Sequence, residues 1–184
     1  MSYIPEMLKF NENFVKNKGY EKFRTTKFPD KKVAILSCMD TRLTNLLPAA
    51  LNIQYGDIKI IKNAGALISH PFGSVMRSLV VAIYELGVKE IFVIGHSDCG
   101  MENLNSQQII EKMLKRGIRK NDLDLISSSG VNTNTWLTGF SNPIESVKET
   151  VKLINNHPLI PKDVSVMGFI INPTTGCINL LKSI

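Results

Sequence analysis

Cysteine is scarce in this chain, with three in 184 residues. So small and odd a number argues against a disulfide framework and leaves metal binding or plain burial as uses for the thiols. Long apolar runs are missing too. The longest near-continuous one, Leu79 to Ile83, falls far short of the roughly 20 residues of a spanning helix, so no membrane association is expected. No basic start followed by an apolar stretch opens the chain, so no secretory signal is read and the cytoplasm is the expected compartment. Repeats and linkers are absent as well. Residues 1–184 therefore read as a single domain, long enough to bury its own core.

Charge is present in excess of one sign, +6 at neutral pH. The lysines are spread along the chain, and only Lys112, Lys115, Arg116, Arg119 and Lys120 cluster. That group reads as a solvated helix face. Aromatic residues do not interleave with it as a stacking platform for single strands requires, so no nucleic-acid partner is expected.

The hydrophobic pattern alternates short apolar runs with helical periodicity. Residues 3–18 read as a leading helix with Ile4, Met7, Leu8, Phe14 and Val15 as its apolar positions. It either packs back on the domain or reaches onto another subunit. Strands are expected at 33–37, 58–62, 90–95, 164–171 and 177–181, the last two joined by a hairpin through Asn172 to Gly176. Helices are expected at 44–52, 73–86, 101–116 and 142–157. The 73–86 helix carries apolar residues around most of its circumference and should be buried nearly all round. The 142–157 helix has Asn142 as cap, Pro143 at its first position and Glu145 three residues after the cap. Residues 120–140 are polar and weakly patterned, a surface excursion or lid with Trp136 and Phe140 as anchors. This order predicts an α/β fold: a mostly parallel central sheet with helices on both faces, a C-terminal antiparallel strand and the leading N-terminal helix.

In such sheets ligands gather at the carboxyl ends of strands where the winding reverses. Cys38 ends the first strand, and His96 and Cys99 follow the third. Two thiols and one imidazole suit a zinc ion, and three protein ligands leave a position for water, as catalytic sites do. Asp40 can accept a hydrogen bond from a metal-bound hydroxide, and Arg42 can hold Asp40 ionised through a charge-assisted pair. Asn63-Ala64-Gly65 is a small-residue turn where backbone can approach a ligand.

Cys38-x-Asp40-x-Arg42 and His96-x-x-Cys99 resemble the paired signatures of the β-class carbonic anhydrases. Asn63-Ala64-Gly65, the apolar 73–86 helix, Ser97-Asp98 before Cys99, Gly100-Met101 after it and the Thr175-Gly176 turn are similar to the short, archaeal- and Gram-positive-like form of that family. The resemblance covers nearly the whole chain and is weakest over 102–140. It implies one zinc ion per chain on Cys38, His96 and Cys99, with Asp40 and Arg42 as the catalytic dyad. Asp40 would be a conditional fourth ligand in an inactive state, and Ala64 and Gly65 would contribute pocket backbone for substrate. It implies reversible hydration of carbon dioxide to bicarbonate and a proton by a zinc-bound hydroxide, in a homodimer or tetramer whose leading helix embraces the neighbour. One departure is Ala66, where many members carry a second glycine; the added methyl either narrows the substrate pocket or has no effect there. Two other readings share the scaffold: a hydrolase of carbon disulfide or carbonyl sulfide, and a catalytically silent zinc- or bicarbonate-sensing protein. His70 reads as a pocket wall, His157 as a helix-end histidine and Cys177 as packing. Asp98 either orients its loop or touches the dyad.

Overall fold

The sheet is nucleated by the run that offers no polar side chain to solvent. In the computed structural model, which describes residues 2–182, Val33–Cys38 forms β1 and all its residues are buried. A strand buried on both faces must sit centrally, and β1 does. It pairs in parallel with β2 (Ile58–Asn63) on one side and with β3 (Glu90–His96) on the other. β4 (Ser165–Ile171) adds in parallel to β3, and β5 (Ile178–Leu180) adds antiparallel to β4, giving the order β2-β1-β3-β4-β5. The β4–β5 hairpin is closed by Asn172, whose Oδ1 accepts from the amides of Thr174 (2.8 Å) and Thr175 (3.0 Å).

Alternation along the strands divides the apolar side chains between the faces. Ala34, Leu36, Ile91 and Val93 point to one side, where they meet Met76, Leu79, Ala82 and Ile83 of α3 (Ser74–Tyr84). Val147, Val151 and Ile154 of α7 (Pro143–Asn155) complete that layer. Val33, Ile35 and Ile94 face the other side, against Leu43 and Leu47 of α2 (Leu43–Ala50). The expected architecture is thus present, with helices on both faces. The chain winds from β1 outward to β2, then returns past β1 to β3. The reversal at β1/β3 is the junction whose strand ends carry Cys38 and His96.

Several expectations need correction. α3 buries a single stripe, not its whole circumference; Val81 and Tyr84 are exposed on this chain. Trp136 is no anchor, since it is 56% exposed. Cys177 is exposed, because the hairpin strand is shorter than its apolar pattern implied and begins at Ile178. The 101–116 helix also starts later, as α4 (Ser106–Lys115), capped by Asn105. Segment 120–140 contains two further helices, α5 (Lys120–Ser128) and α6 (Thr133–Leu137). Their polar sequence hid them, because neither buries an apolar stripe; α6 is capped by Asn132. The leading helix α1 (Ile4–Lys16) buries no residue and leaves Ile4, Met7, Leu8 and Val15 exposed. Among the described residues no helix is long and apolar enough to cross a membrane.

Candidate metal centre

β1 and β3 run in parallel, so their carboxyl ends deliver side chains to one rim. Cys38 closes β1 and is 5% exposed. His96 closes β3 and is 1% exposed. After β3 the chain turns back at Asp98, whose φ of 54° lies in the left-handed region, and this turn carries Cys99 in beside Cys38. The ligand atoms of Cys38, His96 and Cys99 all lie within 4.8 Å of one another.

Three features of this cluster fit a zinc ion. The Cys38 and Cys99 sulfurs are 3.8 Å apart. Two thiolates at about 2.3 Å from a tetrahedral ion stand about 3.8 Å from each other. His96 Nδ1 lies 2.9 Å from the Ser97 carbonyl. That bond places the ring proton on Nδ1 and aims a lone pair from Nε2 at the sulfurs. Finally, Nε2 is buried without a hydrogen-bond partner of its own, an arrangement that costs stability unless something occupies its lone pair.

The thiols differ. Burial alone raises the Cys38 thiol, but its interactions with His96 and the amides of Gly65 and Asp40 prevail and bring it down to about 7. Burial, together with the neighbouring Cys38, pushes Cys99 up to about 11. One negative charge is easily held in this pocket and a second is not. A dication removes that conflict, because it is bound by both thiolates at once. His96 is raised: burial opposes its protonation, but Cys38, the Ser97 carbonyl and Asp40 together outweigh it.

Beside the cluster stands Asp40. Arg42 donates to it through its backbone amide (2.9 Å) and Nε (3.0 Å) at Oδ1, and through Nη2 (2.8 Å) at Oδ2. These bonds hold the Asp40 carboxyl at about 2, well below its ordinary value. Asp40 is therefore ionised and purely an acceptor at neutral pH. Its Oδ2 lies 3.9 Å from His96 Nε2. Such a carboxylate selects for a ligand that brings a proton.

The turn after β2 supplies backbone, as the small residues Asn63-Ala64-Gly65 allow. Gly65 adopts φ 85°, and its amide helps to lower the pKa of the Cys38 thiol. Ala64 lines a cavity of about 1040 Å³, with Asn63, Met101, Leu104, His70 and Trp136. Ala66 also takes a left-handed φ, 56°, at a cost of about 1 kcal/mol for a residue with a Cβ. Its methyl is 1% exposed and packs with Leu43 and Ile94 beneath the rim. It is not among the residues that line this cavity.

Sequence reasoning left the role of Asp98 open, and the structure joins it to Arg42: Nη1 donates to Asp98 Oδ2 (2.7 Å) and Nη2 to the Asp98 carbonyl (2.8 Å). The signal was its place between two ligands and the tolerance of aspartate for left-handed backbone. Phe140 is half-buried close to the turn after β2; a Cβ on Gly65 would stand 3.1 Å from its ring. His157 is buried, with Nδ1 accepting from the Leu159 amide (3.3 Å) and its ring 5.4 Å from Phe72, remote from the cluster's ligands.

Comparison with known proteins supports the same reading. The family model described as carbonic anhydrase matches residues 33–178. A putative carbonic anhydrase of Bacillus subtilis, YvdA, is 51% identical over 181 residues, covering 98% of this chain and 92% of the relative. A second from that organism, YtiB, is 51% identical over the same length and 97% of its own chain is covered. Among solved structures, the β-carbonic anhydrase isoform I of Trichomonas vaginalis superposes with a TM-score of 0.88 at 35% identity, covering 98% of this chain and 97% of that one. With the cysteine–histidine–cysteine cluster at the reversal of its sheet, this chain belongs to the β-class carbonic anhydrase family.

Proposed function

We propose that this protein catalyses the reversible hydration of carbon dioxide to bicarbonate and a proton, with one zinc ion held by Cys38, His96 and Cys99. The observation that carries the reading is the orphaned, buried His96 Nε2 facing two thiols 3.8 Å apart, with an ionised Asp40 oxygen 3.9 Å away. When bound, zinc supplies Lewis acidity that lowers the pKa of a water and makes it a nucleophile near neutral pH. Asp40 accepts that nucleophile's hydrogen bond and turns its lone pair toward the carbon of the substrate. Arg42 keeps Asp40 ionised and turned to this task. The apolar rim at Ala64 and Met101 admits a small, uncharged, linear substrate. His96 would hold the metal through Nε2 and takes no part in proton transfer.

The chain acts as one domain, in the cytoplasm, where its thiols stay reduced, and as a homodimer or tetramer. Supporting the last point, α1 leaves its apolar face exposed. A groove of about 220 Å³ over Val33, Ile35, Phe92 and Ile178 is also left uncovered on the α2 side of the sheet. The decisive experiment is stopped-flow hydration of carbon dioxide by zinc-loaded protein between pH 6.5 and 9. Fast turnover that rises with pH is expected. Zinc-loaded protein that turns over carbon disulfide or carbonyl sulfide but not carbon dioxide would replace this reading with a hydrolase; no turnover of any of them would leave a sensor.

A further inference from the structure

We propose that Asp98 is a positioning residue: by anchoring Arg42 to the loop after β3, it keeps Asp40 from closing onto the metal cluster. The inference rests on the zinc reading above.

Arg42 and Asp40 lie two residues apart in one short loop, so their pairing fixes each relative to the other but neither relative to the cluster. Among the described residues, the only side-chain hydrogen bonds that carry Arg42 out of that loop go to Asp98, through Nη1 to Oδ2 and through Nη2 to the carbonyl. Nη2 is shared, since it also donates to Asp40 Oδ2. Asp98 thus sets where the guanidinium sits, and the guanidinium sets where the Asp40 carboxylate points. The chain holds Asp98 at φ 54° to achieve this, a conformation that also turns Cys99 toward Cys38. The need for an anchor is geometric. Asp40 Oδ2 already stands 3.9 Å from His96 Nε2, so a carboxylate freed from Arg42 reaches the cluster by side-chain rotation alone. The bland alternative is that Asp98, whose side chain is 83% exposed, forms an ordinary surface ion pair with no effect on the site.

Cobalt(II) in place of zinc separates the two. The readout is the change in cobalt absorption on titrating azide, which needs an open coordination position. Four proteins are compared: unaltered, Asp98→Gly, Asp40→Ala and the double variant. Glycine accepts the left-handed backbone without strain, so Asp98→Gly removes only the carboxylate. The expected result is azide binding weakened about five-fold or more by Asp98→Gly when Asp40 is present, the lower end of usual coupling between sites. In the Asp40→Ala background the same change has no effect, because nothing is left to close the site. Asp98→Asn, which also tolerates this φ, should give a loss of the same sign and carries the test if the glycine variant does not fold. Equal azide affinity in unaltered protein and Asp98→Gly overturns the proposal. So does a loss that persists without Asp40. Failure of the unaltered protein to show thiolate-to-cobalt charge transfer sinks the metal reading itself, and is told apart by that band.

Discussion

The loops that follow β1 and β3 and the excursion over residues 102–140 are held by different forces. The two loops are extensions of buried strands. Cys38 and His96 inherit their positions from a sheet packed on both faces, and Arg42 ties one loop to the other across the rim. The excursion is held locally. Asn105 and Asn132 cap α4 and α6, and Gln107 Nε2 reaches Asn134 Oδ1 at 3.0 Å. Its base is pinched by backbone bonds from Asn103 to the Phe140 carbonyl (2.7 Å) and from Phe140 to the Met101 carbonyl (3.2 Å). Gly139 passes so close to the Met101 carbonyl there that a Cβ has no room. The lesson is a division of labour: the sheet places the cluster, and the excursion, with the turn after β2 and Met101, lines the cavity without contributing a residue to the cluster.

The comparison is broken most severely by removing a ligand. Cys99→Ser should release zinc, with affinity falling by more than the roughly 10–100-fold that loss of an outer hydrogen-bond partner costs. A chelator competition assay reads this directly. Asp40→Ala comes next. It should keep zinc, because the cluster is intact, and lose about 100- to 10,000-fold in hydration rate, the range for a positioned proton acceptor. A zinc-replete Asp40→Ala enzyme with normal turnover would remove Asp40 from the mechanism.

Stability sharpens the contrast between the regions. Leu47 of α2 is fully buried beneath the rim, whereas Leu125 of α5 is 72% exposed. Leu47→Ala should cost about 2–5 kcal/mol through lost burial and the cavity it leaves. Leu125→Ala should change stability by no more than about 0.5 kcal/mol. Urea unfolding of the two variants measures both. A large loss at Leu125 would mean that a second copy of the chain covers the excursion.

The same division decided what could be read from the sequence. Val33 to Ser37 and Ile91 to Ile94 were legible because burial on both faces forces an unbroken apolar run, and the ligands follow such runs directly. Asn142-Pro143 was legible because a cap and a fixed φ are local chemistry. The Arg42–Asp98 contact was not, since it joins residues 56 positions apart through side chains that leave no periodic trace. α5 and α6 were missed because neither presents the apolar stripe that marks a helix in sequence. α3 was read as buried all round because apolar content says how much surface avoids water, not which neighbour covers it; Val81 and Tyr84 face outward on this chain.

The smallest expected effect compares two ion pairs, one in each region. Asp40 pairs with Arg42 at the rim, and Asp122 pairs with Arg119 in the excursion at 2.7 Å. Bonds from the arginine lower the carboxyl in both. A carboxyl depressed in the folded state stabilises the protein above its ordinary pKa, and that contribution is lost as pH falls through the folded value. For Asp40 the window runs from 3.8 down to about 2. The thermal-midpoint difference between unaltered protein and Asp40→Asn should therefore be constant from neutral pH to about 4 and shrink below it. The Asp122→Asn difference should shrink on acidification in the same sense. Salt tells them apart. The Asp40 side chain is 17% exposed and that of Asp122 is 42% exposed, with Arg119 at 80%. Ions screen the exposed pair more, so about 1 M salt, with a Debye length of about 3 Å, should erase the Asp122 difference and leave part of the Asp40 difference. Equal loss of both would mean that the rim is as open to solvent as the excursion, and that Arg42 is held there by geometry without help from burial.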